Sequence, residues 1–158
     1  MTDTGTVNGR WVLRAHAGGS DWTTDSYKEL AAVSGPREFW GALNATLEHV
    51  GAVHLFLSRD SVFPDWSSGA FAGLVSVMVP APHRARFWAD MAAVAVVQGP
   101  PVAAVSMGPL KRDFCVAKVW LTSRPAGAAG DALRELGFPQ YFMDEARFEV
   151  RAPGPSGQ

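Results

Sequence analysis

Val102-Ala103-Ala104-Val105-Ser106-Met107-Gly108-Pro109-Leu110-Lys111-Arg112-Asp113-Phe114-Cys115-Val116-Ala117-Lys118-Val119-Trp120-Leu121-Thr122 reads as two strands and their turn. Val102–Met107 and Phe114–Thr122 carry the β-branched and aromatic residues, and Gly108-Pro109 with the basic pair Lys111-Arg112 breaks them apart. Before this hairpin, the valine-rich Ala72–Val79 predicts another strand. Pro80 and Pro82 end it and start a helix whose buried face is Phe87, Trp88, Met91, Val94 and Ala95. After the hairpin, Asp131–Leu136 predicts a helix closed by Gly137, and Tyr141–Met143 and Phe148–Arg151 predict two short strands. Towards the N-terminus, Arg10–His16 alternates apolar and polar residues, and Tyr27–Val33 and Val53–Leu57 also read as strands. Ser34-Gly35-Pro36-Arg37-Glu38 opens a helix, with Pro36 at its first position and Glu38 near its positive end. Phe39, Trp40, Leu43 and Leu47 make its apolar stripe. Strands thus come in pairs between single helices. That order predicts an α+β fold, an antiparallel sheet with about three helices on one face, rather than a parallel βαβ sheet.

At 16.9 kDa the chain suits one domain, large enough to bury roughly 70% of its unfolded surface. Residues 10–151 are expected to form it, with polar or Gly/Pro-rich tails at 1–9 and 152–158. A net charge of −1 argues against a broad duplex-binding surface, so any nucleic-acid contact must be local. A single cysteine precludes an internal disulfide and, with no signal-peptide pattern and no long apolar run, favours a cytoplasmic protein that does not engage a membrane. His16, His49, His54 and His83 lack metal-ligand spacing, and no phosphate loop, nucleophile elbow or catalytic dyad appears. An enzyme is not expected, nor is a cofactor.

Six tryptophans punctuate the chain. Trp11 and Trp88, like Phe39, Phe56 and Phe87, are expected in the core. Trp22, in Gly18-Gly19-Ser20-Asp21-Trp22-Thr23-Thr24-Asp25, and Trp66, in Phe63-Pro64-Asp65-Trp66-Ser67-Ser68-Gly69, fall in loops. There an indole either packs its own loop or offers a flat π face to a planar or cationic ligand.

Arg10-Trp11-Val12-Leu13, Trp22, Glu38-Phe39-Trp40-Gly41-Ala42-Leu43-Asn44, Leu55-Phe56, Pro64-Asp65-Trp66, Arg86-Phe87-Trp88, Val119-Trp120-Leu121-Thr122 and Leu136-Gly137-Phe138-Pro139 occur in this order. Together, from about residue 10 to residue 143, they resemble the eukaryotic translation initiation factor 4E family of mRNA 5′ cap-binding proteins. The resemblance implies a curved antiparallel sheet with three helices on its convex face. It places Trp22 and Trp66 as the pair that sandwiches 7-methylguanine, and Trp120 near the N7-methyl group. N7-methylation leaves the purine cationic, which adds a cation–π term to stacking worth about 1–3 kcal/mol per base. Lys111, Arg112 and Lys118 stand around the hairpin where the family holds the cap phosphates, and the spacing to Trp120 does not choose between Lys111 and Arg112.

Three departures accompany the resemblance. The family's glutamate after the second stacking tryptophan is here Ser67, which should weaken guanine recognition by the loss of a charge-assisted contact worth about 1.5–3 kcal/mol. Asp65, on the other side of Trp66, is the alternative carboxylate. The Gly-Gly-Arg-Trp start of the next strand is here Phe71-Ala72-Gly73-Leu74, and the C-terminal region is short. A compact, divergent paralogue of the kind found in trypanosomatids fits this pattern. The partner site of the family maps to Pro36, Arg37 and Trp40 of the first helix, with Ala89 and Ala93 on the second where bulkier leucines are usual. Partners implied are capped mRNA and a helix of an initiation factor 4G-like scaffold or of a repressor, bound by a monomer. The alternatives are an interaction module with weak or no cap binding, and an aromatic-cage reader of methyl-lysine.

Overall fold

The computed structural model describes residues 7, 9–18, 26–60, 73–98, 102–111, 113–122, 129–138 and 147–149. Among the described residues seven strands form one sheet: β1 Trp11–His16, β2 Lys28–Val33, β3 His54–Arg59, β4 Gly73–Pro80, β5 Val102–Lys111, β6 Phe114–Leu121 and β7 Arg147–Glu149. Three α-helices interrupt them among the described residues: α1 Pro36–Asn44, α2 Arg84–Gln98 and α3 Ala129–Glu135. The order across the sheet is β2-β1-β3-β5-β6-β4-β7, with every neighbouring pair antiparallel. The expected α+β class and pairing are therefore observed, with the helices against one face. The expected strand at Tyr141–Met143 lies outside the described residues.

Alternation along the strands sorts side chains to the two faces. Trp11, Leu13, Leu55, Leu57, Val75, Val77, Val79, Val105, Met107, Ala117 and Val119 join the main core with Phe39 and Leu43 of α1 and Phe87, Trp88 and Met91 of α2. The opposite face carries a separate small cluster, Leu74, Ala103, Ala104 and Trp120. It also presents Arg14, Phe56, Ser58, Ser106 and Lys118 in register across β1, β3, β5 and β6.

The β5–β6 hairpin shows why a proline is tolerated in a long strand. β3 pairs with β5 over Ala104–Met107, so Pro109 lies beyond that ladder, at a register shift where a missing N–H costs nothing. α3 ends as expected at Gly137, whose φ of +86° lets its N–H reach the Arg134 carbonyl and that of Phe138 reach Leu133. Buried Phe138 completes this cap by packing into the core.

Three local expectations differ. α1 stops at Asn44, and Leu47 sits in a separate 3₁₀ turn, Leu47–His49, because Thr46 turns back on Leu43 through both its N–H and its hydroxyl. On α2, Ala92 and Val96 are buried while Val94 is half-buried, so the helix buries a wider sector than a narrow stripe. Val7, placed in the N-terminal tail by its polar neighbours, is buried in the core. The rest of 1–9, save Gly9, and the 152–158 segment lie outside the described residues.

Candidate functional site

Trp22, Asp65, Trp66, Ser67 and Arg112 lie outside the described residues. Their places in the chain are defined by what flanks them. Trp22 belongs to the connection from β1 to β2, and Asp65, Trp66 and Ser67 belong to that from β3 to β4. The first connection leaves the sheet at His16, which is opposite His54 in the β1–β3 register. The second leaves at the other end, where the Asp60 N–H donates to the Arg10 carbonyl at 2.8 Å and the two side chains approach at 3.5 Å.

Trp120 is on β6 with its side chain on the face opposite the helices, 5% exposed. Its indole N–H donates to Ser106 Oγ at 3.0 Å across the β5–β6 pair. Lys118, two residues earlier and half-buried, shares that face and stands directly across from Ser106 on β5 and Ser76 on β4. The two residues expected to share a face therefore do so. Lys111 is the last residue of β5, paired with Phe114.

The same face brings together residues that sequence reasoning treated as unrelated. The His16 ring meets Tyr27 edge-on at 5.0 Å and His54 at 6.4 Å. Tyr27 meets Phe56 at 5.2 Å, and His54 stacks on Phe56 at 6.5 Å. Arg14 donates to Ser58 Oγ at 3.0 Å. The His54 ring lies so close over Gly108 that a Cβ there would sit 2.2 Å from Nδ1, so this position requires glycine. Burial, the neighbouring His16 and the Lys118 ammonium all push the His54 pKa below its ordinary value. The signal for this cluster was present as two histidines at the ends of strands, but it becomes readable only once the antiparallel β1–β3 register pairs His16 with His54. Among the described residues, no group of three His, Cys, Asp or Glu side chains is arranged to hold a metal ion.

On the helix-covered side, Pro36 and Arg37 are exposed in the first turn of α1, and Trp40 is 44% exposed with its ring 4.9 Å from Phe39. Ala89 and Ala93 on α2 are half-buried and pack against the core. A cavity of about 360 Å³ opens between α1, β2 and β3, with Leu30, Ala31, Ala42, Thr46 and Val53 in its wall.

Comparison with known proteins identifies the fold. The chain superposes on Ascaris suum eIF4E-3, solved with an m7G cap, at a TM-score of 0.69 and 16% identity, over 95% of this chain and 93% of that one. Caenorhabditis elegans eIF4E-3, solved with the 4E-binding protein Mextli and a cap analogue, gives 0.69 and 17%, over 92% and 91%. Schistosome eIF4E, solved with m7GpppG and 4E-BP, gives 0.64 and 16%, over 77% and 74%. The fold is thus the one seen in eIF4E structures. No family pattern and no curated protein sequence matches the chain.

Proposed function

We propose that this chain is an mRNA 5′ cap-binding protein that acts in translation initiation or its regulation. The observation that carries the reading is the fold shared over more than nine-tenths of both chains with a protein solved with an m7G cap. The two loop tryptophans in the β1–β2 and β3–β4 connections add to it. Although those connections leave β1 and β3 at opposite ends, chain length allows the indoles to meet. Trp66 stands midway in the connection 61–72, so six residues at about 3.3 Å each reach about 20 Å, the length of β1 itself.

In this reading Trp22 and Trp66 stack the methylated base, and Trp120, tied to Ser106, forms the floor beside the methyl group. Lys118 reaches from the same face towards the phosphates, joined by Lys111 and Arg112 of the hairpin. Ser67, or Asp65 in its place, meets the guanine edge, and the missing glutamate makes binding weaker and less guanine-selective than a full carboxylate contact allows. Binding rather than catalysis is the output. Exposed Trp40, with Pro36 and Arg37, docks a helix of a 4G-like scaffold or repressor, and Ala89 and Ala93 leave a shallow second contact. The protein works as a cytoplasmic monomer in these encounters.

The exposed Trp40 also favours a second reading, an interaction module with little cap affinity. Retention on 7-methyl-GTP resin separates the two. The first reading expects retention of the intact chain and its loss in Trp22→Ala and Trp66→Ala, with Trp40→Ala still retained. Equal retention of the loop variants, or none of the intact chain, rejects it.

A further inference from the structure

The imidazole of His16 has two different nitrogens, and both are engaged. The Gly18 N–H donates to Nδ1 at 2.8 Å. That nitrogen must therefore present its lone pair, which leaves the ring proton on Nε2, and Nε2 lies 3.0 Å from Ser26 Oγ. The ring is 3% exposed. Gly18 is the residue at which the chain turns away after β1, with a φ of +97° that favours glycine, and Ser26 is where it returns towards β2. Tyr27, next to Ser26, packs edge-on against the same imidazole and on to Phe56 of β3. One buried ring at the end of a central strand thus holds both feet of the β1–β2 connection.

We propose that His16 is a positioning residue that clamps the two ends of the connection containing Trp22, and so sets the affinity of the nucleotide site without touching the nucleotide. This inference rests on the cap-binding reading for its ligand, and on the His16 geometry for its mechanism. A connection pinned at both feet loses less conformational freedom when a base binds, so affinity rises through preorganisation. Phenylalanine at 16 would fill the space but bond neither foot. Asparagine places an amide oxygen near Nδ1 and keeps the Gly18 arm; glutamine places an amide N–H near Nε2 and keeps the Ser26 arm.

Two readouts test the clamp in the full chain: amide hydrogen exchange across residues 18–26, and the Kd for 7-methyl-GTP. For His16→Phe the clamp predicts faster exchange in 18–26 with β3 unchanged, and a Kd about three- to tenfold higher, the span of one to two modest buried hydrogen bonds. His16→Asn and His16→Gln each recover part of both effects. Ser26→Ala, at a half-buried position, raises Kd about two- to threefold and carries the test if His16→Phe does not fold. Unchanged exchange in 18–26 overturns the clamp, and so does faster exchange with an unchanged Kd. If the intact chain binds no 7-methyl-GTP, the cap reading falls instead, and exchange alone decides the clamp: faster supports it, unchanged rejects it.

Discussion

The indole N–H of Trp120 donates to Ser106 Oγ at 3.0 Å across the β5–β6 pair, and both residues are buried on the face opposite the helices. This bond fixes Trp120 within its small cluster with Leu74, Ala103 and Ala104. Ser106→Ala removes the acceptor while leaving the strand register intact. We expect a loss of about 1 kcal/mol in stability from urea unfolding, the usual cost of a buried hydrogen bond.

Trp88, fully buried on α2, donates to Thr46 Oγ1 at 3.0 Å, and Thr46 in turn bonds the Leu43 carbonyl at the end of α1. Thr46→Val keeps the shape but orphans an indole N–H that solvent cannot reach. The expected cost is about 1–3 kcal/mol, larger than for Ser106→Ala, since two links of one network break together. A urea midpoint equal to that of the parent chain would contradict this.

His54 supplies a pH dependence. Its folded pKa is lowered, chiefly by burial and then by His16 and Lys118, from the ordinary value of 6.5. The unfolded chain therefore binds the proton more readily than the folded one. Stability is complete above pH 6.5 and falls as the pH drops below it towards the folded value. His54→Gln should flatten the slope of the urea midpoint between pH 7 and pH 5. Around this ring lie His16 of β1 and Phe56 of β3, the backbone of Gly18 and Gly108, and the Lys118 ammonium of β6.

The Cys115 thiol is 3% exposed, and burial raises its pKa above 9.0, with Arg84 offsetting part of the shift. Little thiolate is present at pH 8, and the sulfur is covered. Alkylation by iodoacetamide should be slow in the folded chain and rapid in urea. Comparable rates in both would show that the start of β6 at Cys115 opens readily.

The strand and helix order was legible because hairpin turns, prolines and apolar periodicity mark local structure, as Pro36 and Gly137 show. What sequence could not supply was register. Pairing of His16 with His54, the closeness of Gly108 to that ring and the bond from Trp120 to Ser106 each depend on how distant strands align. Leu47 left the α1 stripe for a similar reason: a threonine that bonds backwards in the chain ended the helix. Of the candidate site, Lys118 and Trp120 were correctly placed on one face by alternation, whereas the loop tryptophans rest on resemblance and chain length.

Recognition of a methylated guanine cap despite Ser67 is the property on which the proposed function turns. Its most direct test is quenching of intrinsic tryptophan fluorescence by 7-methyl-GTP, with GTP as the control. Saturable quenching by the methylated nucleotide is expected in the micromolar range, with GTP far weaker, because the cationic base gains the cation–π term. No saturable quenching at millimolar 7-methyl-GTP, or equal quenching by GTP, would contradict it.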